Sequence, residues 1–225
     1  MWQSGSIRVL ESEQPFILRT TIGTRTPPPE IVRMRPRAYW YFDFISPFAY
    51  LQWPAIRALS DRVDVVYRPI LFAALLQHHA HKGPAEIPGK REFVYRQVQW
   101  QADRAGRTLR FPPAHPFNPL AALRLCLAAG ASAESIDAIY AHLWRDGLVG
   151  DTPQALAPVA RALGIADIDA AIARPEVKAA LRENGEAALA HGVFGVPSIV
   201  CDDEVVWGND ATPMFEHWLR EPQLF

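Results

Sequence analysis

An α/β fold carrying a large all-helical insertion is predicted by three features of the chain. The run Tyr39-Trp40-Tyr41-Phe42-Asp43-Phe44-Ile45 is aromatic and β-branched, as a strand covered on both faces requires, and it breaks at Ser46-Pro47 into a helical pattern. Val63 to Arg68 is a second β-branched run, ended by Pro69, which closes a βαβ unit. Far along the chain, Pro197 to Cys201 and Glu204 to Trp207 flank Asp202-Asp203 as a hairpin, and an amphipathic helix follows from Pro213 to Leu219. A βαβ unit facing two strands and a helix across a helical stretch is the layout of a thioredoxin-type fold with an inserted domain.

Each element has a local reason. Ser46 stands where an N-cap belongs and Pro47 in the first turn, where its missing N–H is harmless, while Phe48, Leu51 and Ile56 follow at helical spacing. That arrangement holds a hydroxyl at the positive end of a helix, which stabilises an anion such as a thiolate or carboxylate. From Leu71 to His191 the chain is Ala/Leu-rich and helix-forming, broken at glycines and prolines, with no strand pattern. The expected organisation is an N-terminal extension over 1–37, loosely ordered apart from a possible short strand near Phe16 to Leu18. A thioredoxin-like domain then comprises 38–70 and 193–225, around a helical insertion over 71–192.

Composition narrows the function. A hydrophobic share of 49% with 21% charged residues over 225 positions fits a globular protein rather than disorder. The formal net charge of −1, with both signs interleaved, favours a small-molecule partner over nucleic acid or an anionic membrane. The two cysteines, Cys126 and Cys201, lie far apart and in no metal-ligand or CxxC spacing, which fits buried thiols in a reducing, cytoplasmic setting. No signal peptide or transmembrane stretch is evident. His78, His79 and His81 cluster without a carboxylate or thiol at ligand spacing, so no metal site is expected. The tryptophans at 40, 53, 100, 144, 207 and 218 read first as core, although Trp100 and Trp144 fall in the insertion and are candidates for lining an aromatic pocket.

A second motif, His191-Gly192-Val193-Phe194-Gly195-Val196-Pro197-Ser198, puts a proline at the start of a strand, where it cannot donate to the ladder. A cis Val196-Pro197 bond would account for it, turning the Val196 main chain outward to pair with an extended peptide. An ordinary trans turn is the alternative.

Phe42 to Leu51, the loop Phe111 to Leu120, Gly192 to Ser198, and Trp207-Gly208-Asn209-Asp210 together resemble the 2-hydroxychromene-2-carboxylate isomerases. That family is related to kappa-class glutathione transferases and DsbA-type oxidoreductases, and the resemblance runs from about Ala38 to Leu219. Redox relatives carry CxxC at the head of the first helix; Ser46 and Ala49 occupy those places here, so dithiol chemistry is impossible.

The resemblance implies a DsbA-type fold and glutathione as cofactor, with its sulfur near Ser46. In the family the serine hydroxyl hydrogen-bonds that sulfur and, with the helix dipole, favours the thiolate. Pro47, Phe48 and His81 would flank the tripeptide, Val196 and Pro197 would pair with its cysteinyl part, and Asn209 and Asp210 would contact the γ-glutamyl group. Lys90, Asn118 and Arg68 are the candidates for a substrate carboxylate. The bland alternatives are an N-cap role for Ser46, a cap role for Asp210, a solvated Lys90 and a turn role for Asn118. The implied reaction is isomerisation of an aromatic-degradation intermediate of chromene type, in a homodimer. The alternatives are a kappa-like transferase, which consumes the thiol, and a non-catalytic thioredoxin-fold binding protein. Gln97, Trp100, His81 and Ala211-Thr212-Pro213 depart from the family pattern around the substrate side and the rim.

Overall fold

The structure, a computed structural model, describes residues 35–221 and 223. The leader and the short strand expected near Phe16 lie outside the described residues. Strand β1 (Arg37–Phe42) leads through a tight turn into helix α1 (Pro47–Leu59) and then strand β2 (Asp64–Pro69), which pairs parallel to β1. Strands β3 (Ser198–Cys201) and β4 (Glu204–Trp207) add antiparallel, giving the order β2-β1-β3-β4. Asp202 and Asp203 take φ of 48° and 66°, the two positive angles that a two-residue hairpin turn demands.

Between β2 and β3 come helices α2 (Phe72–His78), α3 (Lys90–Arg104), α4 (Leu120–Ala128), α5 (Ala133–Tyr140), α6 (Pro153–Ala162), α7 (Ile168–Ala173) and α8 (Pro175–Ala190). A π-helical segment, Ala141–Arg145, continues α5 without a break, and its widened turn was not legible in the sequence. Helix α9 (Thr212–Arg220) closes the chain. Among the described residues, no helix is long and apolar enough to cross a membrane.

The strand period of two divides β1 between two cores. Ala38, Trp40 and Phe42 face α1 and the insertion, where Trp40 stacks on Trp53 with ring centroids 5.2 Å apart and Phe44 packs against Tyr140. Tyr39 and Tyr41 face the opposite side, with Leu75 of α2 and Ala188 of α8. Cys126 and Cys201 are free and buried, and burial pushes their thiols up to about 12 and about 11. Not every tryptophan is core: Trp40, Trp53 and Trp144 are, but Trp100 and Trp207 are 59% and 53% exposed. Trp100 stands on the outer side of α3 with the Arg104 guanidinium over its ring, an arrangement that apolar spacing alone does not distinguish from burial.

Candidate functional site

The site lies where the C-terminal end of β1 meets the N-terminal end of β3. Tyr41 is paired with Ser198, so the turn Asp43 to Ser46 and the Val196-Pro197 segment emerge from adjacent strands at the same end of the sheet. The β4 partner of Ser198 is Trp207, which brings Gly208, Asn209 and Asp210 to that end as well.

Ser46 caps α1, its Oγ accepting from the Ala49 N–H at 3.3 Å, and Pro47 follows in the first turn. Ser46 is nearly buried, and among the described residues its hydroxyl proton has no acceptor. The turn is held from beneath by Asp43, a fully buried carboxyl that accepts from the Ile45 N–H at 3.1 Å and the Phe72 N–H at 2.8 Å. Burial pushes Asp43 up to about 7, against the backbone N–H bonds that pull it down. The sequence showed Asp43 only as one acid in an aromatic run. Its role comes from Phe72, a partner no spacing reveals.

Two further supports converge on the turn. Trp144 Nε1 donates to the Phe44 carbonyl at 2.8 Å, which makes this fully buried ring a strut rather than a pocket wall. His115 Nε2 lies 2.9 Å from the Ile45 carbonyl and its Nδ1 lies 2.6 Å from the Tyr95 hydroxyl. Because a carbonyl only accepts, Nε2 carries the proton and Nδ1 accepts from Tyr95. Burial holds His115 below its ordinary value of 6.5. A group held neutral in the fold contributes stability that is present above that ordinary value and is eroded as pH falls below it. Between about pH 7 and about pH 5, wild type should therefore lose stability relative to His115→Gln in thermal unfolding; equal slopes in the two proteins would contradict this role of His115.

Val196-Pro197 is cis, as the strand-start proline suggested. Pro197 offers its carbonyl to the Gly208 N–H at 2.9 Å, which joins this segment to β4. Among the described residues, neither the N–H nor the C=O of Val196 has a hydrogen-bond partner. Phe194 and Trp207, both exposed, meet edge to face beside it.

Gln52, buried on α1, ties the two halves together. Its Oε1 accepts from Trp40 Nε1 at 2.7 Å, and its Nε2 donates to the Gly208 carbonyl at 3.0 Å and to the Thr212 hydroxyl at 2.9 Å. Gly208 has φ of 100°, which disfavours an L side chain, and a Cβ there would lie 2.6 Å from Asp210 Oδ1, so a substitution would also displace the Asp210 carboxylate from this corner. Asp210 is exposed, does not cap α9, and has no partner among the described residues. Asn209 donates to Gln101 Oε1 of α3 at 3.1 Å.

The remaining candidates separate. His81 is exposed at the end of the loop after α2, its ring stacked on His79, whose Nε2 lies 3.2 Å from the Val193 carbonyl. His79, which the sequence offers only as one of a histidine cluster, is thus the histidine joined to the Gly192–Ser198 segment. Lys90 opens α3, exposed and without an ion pair among the described residues. Asn118 is also exposed; its Oδ1 accepts from the Leu120 N–H at 3.0 Å at the start of α4, which is the turn role. Phe48 is half-buried against the main core. Arg68 is not brought to the site. Its register partner is Tyr41, so it points to the face away from α1, where it donates to Asn184 of α8 at 2.8 Å and lies over Tyr39. Among the described residues, no group of three or more His, Cys, Asp or Glu side chains is placed to hold a metal.

A mixed sheet with a capped helix N-terminus beside a cis-proline strand end, and helices inserted between its halves, defines an α/β protein of thioredoxin type. A model of the DSBA-like thioredoxin domain matches residues 39–220, and the chain belongs to that family. It is 29% identical over 190 residues to the 2-hydroxychromene-2-carboxylate isomerase of Sphingobium xenophagum, covering 81% of this chain and 97% of that one. It is 25% identical over 205 residues to glutathione S-transferase kappa 2 of Caenorhabditis elegans, covering 81% and 91%. Among solved structures, a 2-hydroxychromene-2-carboxylate isomerase superposes with a TM-score of 0.70 at 25% identity over 80% of this chain and 93% of that one. The similarity thus reaches named isomerases and glutathione transferases alike.

Proposed function

We propose that this protein is a glutathione-dependent isomerase acting on a 2-hydroxychromene-2-carboxylate type intermediate of aromatic degradation. The observation that carries the reading is the hydroxyl of Ser46, with its proton unspent, at the N-terminus of α1 where redox relatives hold a thiol. The residues fit the tripeptide. Val196 offers an unpaired N–H and C=O, Asp210 an unpaired carboxylate suited to an ammonium group, and Asn209 a side-chain amide held in place by Gln101. When bound, glutathione supplies a thiolate able to add to a conjugated ring and leave again. Ser46 would donate a hydrogen bond to the sulfur, and the helix end would favour the charged form. Pro47 and Phe48 form the adjoining wall, His81 the rim, and Lys90 is the candidate cation for the substrate carboxylate. Asn118, engaged as a cap, offers less, and Arg68 offers nothing from the far face. The two buried cysteines suit a reducing cytoplasm, and the resemblance favours a homodimer.

Incubation with glutathione and 2-hydroxychromene-2-carboxylate, following both the ultraviolet spectrum and free thiol, tests the reading. Spectral change at constant thiol is expected. Stoichiometric loss of thiol would instead make the protein a kappa-like transferase.

A further inference from the structure

Gln52 lies wholly buried in α1, and the sense of each of its hydrogen bonds is fixed. Trp40 Nε1 can only donate and the Gly208 carbonyl can only accept, so Oε1 faces Trp40 and Nε2 faces Gly208. The other Nε2 proton goes to Thr212 Oγ1, which in turn donates to the Asn209 carbonyl at 2.7 Å. One side chain therefore holds the carbonyls of two successive residues, Gly208 directly and Asn209 through Thr212.

The Gly208 N–H is engaged as well, donating to the Pro197 carbonyl. With these bonds made, the N–H groups of Asn209, Asp210 and Ala211 have no partner among the described residues, and neither has the Asp210 carboxylate. Such a corner offers donors to a carboxylate and a carboxylate to an ammonium, the two charged ends of an α-amino-acid group. Gln52 follows Ser46 by about 9 Å of helical rise along α1, so it fixes where this corner stands relative to the Ser46 hydroxyl.

We propose that Gln52 is a positioning residue that makes the site selective for γ-glutamyl thiols. Fully buried, it does not meet the ligand; it sets the spacing between the hydroxyl that receives the sulfur and the corner that receives the γ-glutamyl end. This assignment rests on the glutathione reading above. A glutamine that only cross-linked α1 to the start of α9 would, when replaced, lower stability and leave the choice between thiols as it was. A positioning glutamine changes that choice, because a thiol without the γ-glutamyl group gains nothing from the corner.

The test is an NMR titration of the full chain with glutathione and, separately, with cysteinylglycine, in wild type, Gln52→Met, Thr212→Val and Thr212→Ser. Wild type should bind glutathione the more tightly. Gln52→Met should weaken glutathione binding at least about tenfold, the scale on which a misplaced contact acts, and leave cysteinylglycine unchanged. Thr212→Val, which frees only the Asn209 carbonyl, should weaken glutathione by less, and Thr212→Ser should restore it. Glutathione affinity unchanged in Gln52→Met, or an equal loss for both thiols, would overturn the role given to Gln52 and leave the glutathione reading standing. A wild type that binds both thiols equally would overturn it too. Failure of wild type to bind glutathione at millimolar concentration would overturn the glutathione reading and this assignment with it. Thr212→Val keeps the size of the side chain, and it decides the matter if Gln52→Met does not fold: an unchanged preference for glutathione would then overturn the proposal.

Discussion

Ser46→Ala should lower glutathione-dependent turnover by about a hundredfold, the scale on which one hydrogen bond to a developing or resident anion acts in a shielded site. The same change removes an N-cap, because Oγ accepts from the Ala49 N–H, and this part should cost about 1 kcal/mol of stability. The two roles separate in measurement. A purely structural serine would give a variant a few degrees less stable with near-normal turnover, whereas a thiol-activating one gives a folded protein that binds glutathione and turns over poorly. Ser46→Thr supplies a further control, since it keeps both the cap and a hydroxyl.

Asp43→Ala should be the most destabilising single change in the turn that leads into α1. The Ile45 and Phe72 N–H groups would lose their acceptor inside the protein, at about 1–3 kcal/mol each. The melting temperature should fall by roughly 10 °C for a chain of this size. The Asp43 carboxyl also gives a pH signature. It is raised from 3.8 to about 7, so the folded state holds its proton more tightly than the unfolded chain. The resulting stability is fully present below the unfolded value and is lost as pH rises through about 7. Asp43→Asn is neutral at every pH and should flatten this slope, even though its amide satisfies only one of the two backbone donors. Unfolding curves taken across that window, wild type against Asp43→Asn, check it: parallel profiles would mean that Asp43 is not buried as a proton-holding group. His115 acts in the opposite sense, so the comparison must be made variant against wild type rather than on the raw profile.

The readability of the chain varies with the range of the interaction. The βαβ unit, the hairpin with Asp202-Asp203 at its turn, and the cap at Ser46-Pro47 are local, and periodicity with turn chemistry was enough to find them. The cis peptide before Pro197 was legible because a proline at the head of a central strand needs a reason. What was not legible depends on residues far apart in the chain. Gln52 joins Trp40 to Gly208 and Thr212, and nothing in a helical heptad marks a glutamine as buried. His115 and Tyr95 are twenty residues apart, and both serve a turn much earlier in the chain. Arg68 failed for a different reason. A strand's period of two determines which residues share a face, but not which face receives α1. Among the tryptophans, Trp100 fits a helix pattern as well outside as inside, and only the packing of α3 decides.

The proposed chemistry rests on a borrowed thiol. Titrating the thiol of bound glutathione by its thiolate ultraviolet absorbance, in the wild-type protein and in Ser46→Ala, tests this most directly. An ordinary thiol ionises near about 8.5. Ionisation well below that is expected in the wild-type complex, with a return towards it in Ser46→Ala. A bound thiol that titrates as it does in water, or no glutathione binding at millimolar concentration, would contradict it.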